Sequence, residues 1–153
     1  MKLAVNIELN LKIPEVEKMV DDAVRQGLRD IVVKVHEAST IGSPKKTGTN
    51  MRSIAAEVSG MGMVAGDNEE RVVDDFKIEG AVYSTSGYGG WLEVGTNPHL
   101  ISVKTAKVLT DGKTFFGKQV RHPGTAPHPY FKPALDKSFT AEKFVERAKR
   151  YLK

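Results

Sequence analysis

The stretch from Leu3 to Ala38, LAVNIELNLKIPEVEKMVDDAVRQGLRDIVVKVHEA, changes its hydrophobic period at Pro14, and that change decides the fold class. Before it, Leu3, Val5, Ile7, Leu9, Leu11 and Ile13 are apolar, while Asn6, Glu8, Asn10 and Lys12 between them are polar. Alternation with a period of two predicts a half-buried β-strand. Pro14 ends that strand and suits the first turn of a helix, with Glu15 and Glu17 placed where the helix dipole favours anions. Behind it Val16, Val20, Ala23, Val24, Leu28, Ile31, Val35 and Ala38 fall on one stripe of a 3.6-residue period. The spacing predicts a long amphipathic helix over 14–39, with Gly27 as its weak point.

Working outward, residues 41–48 (IGSPKKTG) read as a loop, and residues 50–54 as a short turn leading into a strand over 54–59. A polar loop over 66–71 precedes a second strand over 76–84, and the two strands form an antiparallel pair. Residues 88–94 read as a short helix closed by Gly95 at its C′ position, with the aromatic Trp91 packed beneath. Asp111-Gly112 is a two-residue hairpin signal, with 107–110 and 113–119 as its arms. A proline-rich segment over 123–133 predicts a stiff, extended arm suited to gripping a neighbour, and residues 134–152 are helical in pattern. The order predicts an α+β fold: an antiparallel sheet with the long N-terminal helix and a C-terminal helix packed on it.

With 153 residues, 40% of them hydrophobic, the chain has material for one domain spanning 1–153 and too little for two. No run approaches the roughly 18 to 20 apolar residues of a membrane span, and no signal-peptide succession opens the chain, so a soluble protein made in a cytoplasm is expected. Cysteine is absent, which excludes disulfides and thiolate metal sites. The net charge of +4 is segregated: six acids face two bases from Asp67 to Gly80, whereas 12 bases face 4 acids from His99 to the end. Such a split suits either DNA or an acidic patch on a neighbouring subunit, or simply marks two solvated faces. Lys104, Lys107, Lys113, Lys118 and Arg121 flank the expected hairpin, where they meet DNA phosphates in a channel or guard strand edges against aggregation.

Catalytic chemistry finds little footing. His36, His99, His122 and His128 lack the i, i+4 spacing of a helical zinc site, although Glu93 with the last three offers a metal-dependent hydrolase as a rival reading. Glu93 lies between apolar neighbours, and a buried partner such as Arg52 is the plainer account of it. Residues 60–66 (GMGMVAG) depart from a dinucleotide-binding loop and read as a strand end or loop, and Lys45 and Lys46 stand on the wrong side of Gly48 for a phosphate loop. Asp74 and Asp75 point to opposite faces of a strand and cannot share a site. Thr47-Gly48 permits a positive φ, leaving Thr49 or Asn50 to cap the next turn.

Three stretches are informative together: 44–54 (PKKTGTNMRSI), 88–96 (YGGWLEVGT) and 122–134 (HPGTAPHPYFKPA). Read in order, they resemble the siphophage neck or tail-completion proteins, whose members carry P-x-x-T-G…L-R-x-S-I, Y-A-x-Y-V-E-F-G-T and H-P-G…P-x-P-F-x-x-P-A elements. The resemblance spans about residues 14–140, with Met51 in place of the usual leucine and Gly89-Gly90-Trp91 in place of a small residue and tyrosine. It implies a non-enzymatic, cofactor-free structural protein of the virion head-tail junction, forming a ring through which DNA passes. A homo-hexamer, neighbouring head-closure or tail-terminator proteins and transient contact with phage DNA are the implied partners. The residues then expected at subunit contacts are Thr47, Gly48, Arg52, Trp91, Glu93, Gly95, His122, Pro123, Gly124, Pro129, Phe131 and Pro133. A non-sequence-specific nucleic-acid-binding module is the alternative.

Overall fold

The computed structural model describes residues 14–68, 70–105 and 107–152. The strand expected over residues 3–13 lies outside them. Helix α1, Pro14–Gly42, carries the long amphipathic stripe three residues past its expected end. Ala23, Val24, Gly27, Leu28, Ile31, Val32 and Val35 are on its buried face, while its first turns, through Met19, are exposed.

After a loop comes the single turn α2, Thr49–Arg52, and then three antiparallel strands: β1 Ile54–Val58, β2 Gly62–Ala65 and β3 Gly80–Ser84. Their order is β2-β1-β3, so β1 is central and buried on both faces. Side chains alternate as a strand requires. Ile54, Ala56, Val58 and Val82 pack with the stripe of α1, and Ala55, Ala81 and Tyr83 form a second cluster with Val73 on the opposite face. Arg71, Val72 and Val73 lie across that second face, where the wholly buried Glu57 carboxylate accepts from the Val72 amide at 2.7 Å and lies 3.5 Å from Arg71 Nε. A buried carboxylate is tolerable only with such donors.

Two readings of this region are corrected. Residues 60–66, read as a strand end or loop, hold a strand of their own over 62–65: Gly60 and Gly62 take positive φ and let β1 turn straight back into β2. The strand expected to begin at Phe76 begins only at Gly80, because residues 74–77 form a tight turn in which Lys77 N–H donates to the Asp74 carbonyl. Asp74 and Asp75 therefore sit on a turn, and Asp75 accepts from Gly60 N–H and Arg71.

The C-terminal helix is two helices, α4 Phe131–Ser138 and α5 Ala141–Lys149. Phe139 takes an extended conformation, and Thr140 starts the second helix by accepting from Lys143 N–H at 3.2 Å. Pro133 lies within the first turn of α4, where its missing N–H costs no helical bond. Both helices pack on α1. Gly27 is the contact point, since a Cβ there would come within 2.7 Å of the Ala148 backbone nitrogen. Read from propensity alone as a weak point, it is the position that lets α1 and α5 approach.

Candidate functional site

The three sequence stretches converge through polar joints at one end of the sheet. In the first, Gly48 adopts φ 70 and Arg52 Nη2 donates to the Thr47 carbonyl at 3.2 Å, closing the turn on itself. Thr47 Oγ1 accepts from Thr49 N–H. Asn50 is not a cap. Nearly fully buried, its amide nitrogen donates to Ser43 Oγ at 2.9 Å, and its oxygen accepts from Ser84 at 2.7 Å and Ser86 at 2.9 Å. Those serines lead from β3 into the second stretch.

There α3, Gly89–Val94, ends as expected at Gly95, which has φ 74 and donates to the Trp91 carbonyl at 2.9 Å. Gly89 packs so tightly on Ser84 that no Cβ fits. Glu93 does not meet Arg52. Its Oε2 accepts from the Tyr130 and Phe131 amides at 2.7 and 2.9 Å, and its Oε1 accepts from the Lys132 amide at 2.9 Å. The first amides of a helix have no intrahelical acceptor and the dipole there favours an anion, so Glu93 caps α4 from 37 residues away. Tyr130 and Phe131 are buried with ring centroids 4.4 Å apart, and the Tyr130 hydroxyl donates to the Gly89 carbonyl at 3.2 Å. Burial holds the Tyr130 phenol above its usual pKa. Glu93 and Phe131, expected at subunit contacts, thus serve the interior of their own chain.

In the third joint Thr96 and Thr125 exchange backbone hydrogen bonds at 3.0 and 3.1 Å, and His128 N–H donates to the Leu92 carbonyl at 2.8 Å. A Cβ on Gly95 would strike the Thr125 carbonyl oxygen, and one on Gly124, which has φ 89, would strike that of Thr96. The proline segment is therefore laid along its own chain rather than projecting as a free arm. Pro123, Pro129 and Pro133 remain exposed along it.

Between the joints the chain makes two small ladders. Strand β4, His99–Ser102, pairs antiparallel with β7, Gln119–His122, and a short hairpin pairs β5, Leu109–Thr110, with β6, Phe115–Gly117. Its arms are shorter than expected, and the turn takes four residues rather than two, because the Asp111 carboxylate accepts from the Lys113 and Thr114 amides at 2.8 and 2.7 Å. Those amides hold the Asp111 carboxyl below the usual range. Lys104, Lys107, Lys113, Lys118 and Arg121 are all exposed on this module.

Against the module lies an open groove of about 980 Å³, lined among others by Trp91, Val94, Asn97, His99, His122 and Pro127. Trp91 does not pack beneath α3; it is 60% exposed and Val94 68%. The His99 and His122 rings lie 5.0 Å apart, with His122 Nδ1 accepting from Gly124 N–H and His99 Nδ1 against the Asn97 carbonyl. His36 instead contacts the Ile54 carbonyl, far along the chain from these. No group of three or more His, Asp or Glu among the described residues is placed to hold a metal ion, and no helix among them is long and apolar enough to cross a membrane.

Nothing among family models, curated proteins or solved structures matches this chain.

Three contributors were missed from sequence: Asn50, Tyr130 and Phe76. Asn50 and Tyr130 each sit inside a quoted stretch, but Ser84 and Ser86, which bond Asn50, and Gly89, which bonds Tyr130, lie more than 30 residues away, which no local period signals. Phe76 was assigned to a strand face, yet it is 99% exposed at the tip of the 74–77 turn.

Proposed function

We propose that this protein is a ring-forming structural component of the neck of a tailed bacteriophage, assembled from copies of itself and seated between head and tail so that DNA passes through. The observation that carries the reading is the surface of the module between α3 and α4. Trp91, Val94, Leu100, Phe115 and Phe116 are exposed there, and none of them joins the hydrophobic core. Apolar side chains gathered on a small polar scaffold favour a surface meant to be covered. The ordered succession of the three motif stretches supplies the kind of cover, another copy and its neck partners. Polar joints set the module rigidly against the core, so little entropy is lost when it docks.

The test is native mass spectrometry of the purified chain at high micromolar concentration, together with binding to head and tail intermediates. A closed symmetric oligomer, a hexamer on this reading, agrees with the proposal. A chain that stays a lone subunit and ignores both intermediates overturns it. The exposed bases of the same module favour a second reading, non-specific nucleic-acid binding. That reading requires the isolated subunit to bind DNA with micromolar or tighter affinity that falls steeply with salt.

A further inference from the structure

Phe76 is the most exposed large apolar side chain among the described residues, at 99%. The turn that carries it is fixed by hydrogen bonds. The Asp74 carboxylate accepts from the Phe76 amide at 3.0 Å, and Lys77 N–H donates to the Asp74 carbonyl at 3.2 Å. Next to it Asp75 accepts from Gly60 N–H at 2.6 Å and from Arg71 Nη2 at 2.8 Å, pinning the turn to the β1–β2 connection. The result is a rigid knob on an acidic segment, with six acids against two bases over residues 67–79.

The groove has the complementary character. Trp91 and Val94 offer an apolar wall, and the two histidine rings offer flat faces against which a phenyl ring stacks. It belongs to a basic segment, with six bases against two acids over residues 88–132. Knob and groove stand at opposite ends of β3. Gly80 follows directly on the knob segment, whereas Ser84, at the other end of the strand, packs on Gly89 at the start of α3. Phe76 is 99% exposed and does not line the groove of its own subunit. Two unlike, complementary patches at separate places on one subunit generate a heterologous contact, the kind that closes into a ring when the rotation permits.

Resting on the ring reading above, we propose that the Phe76 turn of one copy inserts into the Trp91, Val94, His99 and His122 groove of the next, repeating head to tail around the assembly. The segregated charges orient the encounter and disfavour the head-to-head alternative.

The experiment uses three preparations of the full chain: wild type, Phe76→Glu and Val94→Glu. Both positions are exposed, so the thermal melts of the separate subunits should match that of wild type. Each variant alone should lose the ring, with subunit association weakened at least about tenfold. Mixed in equal amounts they should form a heterodimer and stop there, because Phe76→Glu retains a working groove, Val94→Glu retains a working knob, and only one such contact can form. A ring that persists in either variant overturns the knob-and-groove contact while leaving the ring itself standing. So does a mixture that remains monomeric. A wild-type chain that is monomeric throughout overturns both this contact and the ring.

Discussion

The helix-and-sheet body and the module between Gly89 and Tyr130 are stabilised by different physics. In the body, α1 lays Leu28, Ile31, Val32 and Val35 on β1 and β3, and removal of apolar area from water does most of the work. In the module, the described residues contribute to the hydrophobic clusters only at its root, through the buried Tyr130 and the partly buried Leu92, and the conformation beyond them rests on named hydrogen bonds: Glu93 to the start of α4, Thr96 to Thr125, Tyr130 to Gly89. The body is held by burial, whereas the module is held by polar joints and leaves Trp91, Val94, Leu100, Phe115 and Phe116 exposed.

The contrast breaks most visibly in the body. Leu28→Ala should cost about 2–5 kcal/mol in urea unfolding, because Leu28 is wholly buried in the core cluster between α1 and the sheet. Next, Glu93→Ala should cost about 1–3 kcal/mol by leaving three amides of α4 without an acceptor. Its amides from 99 to 122 should exchange hydrogen faster than in wild type, while those of α1 stay protected; uniform loss of protection would mean that the joint is not local. Leu100→Ala, on an exposed strand position, should change stability by less than about 0.5 kcal/mol while weakening oligomers, and a large stability loss would erase the distinction between the two regions. The smallest effect concerns pH. Hydrogen bonds from Arg71, then from the Gly60 amide, depress the Asp75 carboxyl, so its contribution is present above the ordinary aspartate range and is lost as pH falls through the lower folded value. The melting temperature should dip slightly more in wild type than in Arg71→Ala on acidification below the ordinary aspartate range.

How much of this was legible in the sequence follows the same division. The stripe on α1 and the antiparallel pairing of β1 with β3 repeat over enough residues for burial to leave a period, and the α+β class was readable from them. Gly95 and the presence of a hairpin at Asp111, though not its length, were readable because their chemistry is local. Strand β2 was not, since its Gly, Met, Val and Ala are all half-buried and show no alternation. The break at Phe139 and Thr140 was hidden by a helical pattern running through both sides of it. Glu93 was marked as unusual from its apolar neighbours but given the wrong partner, because a carboxylate that serves backbone amides 37 residues on leaves no complementary charge to find.

The Tyr130 hydroxyl bonded to the Gly89 carbonyl means that the chain departs and returns at a single point, 41 residues apart. A detour closed at its root is uncoupled in length from whatever it springs from. Lengthening its outer turns is nearly free, since doubling a flexible loop adds only about 0.6 kcal/mol of closure entropy. The excursion's span can therefore change while the root stays as it is.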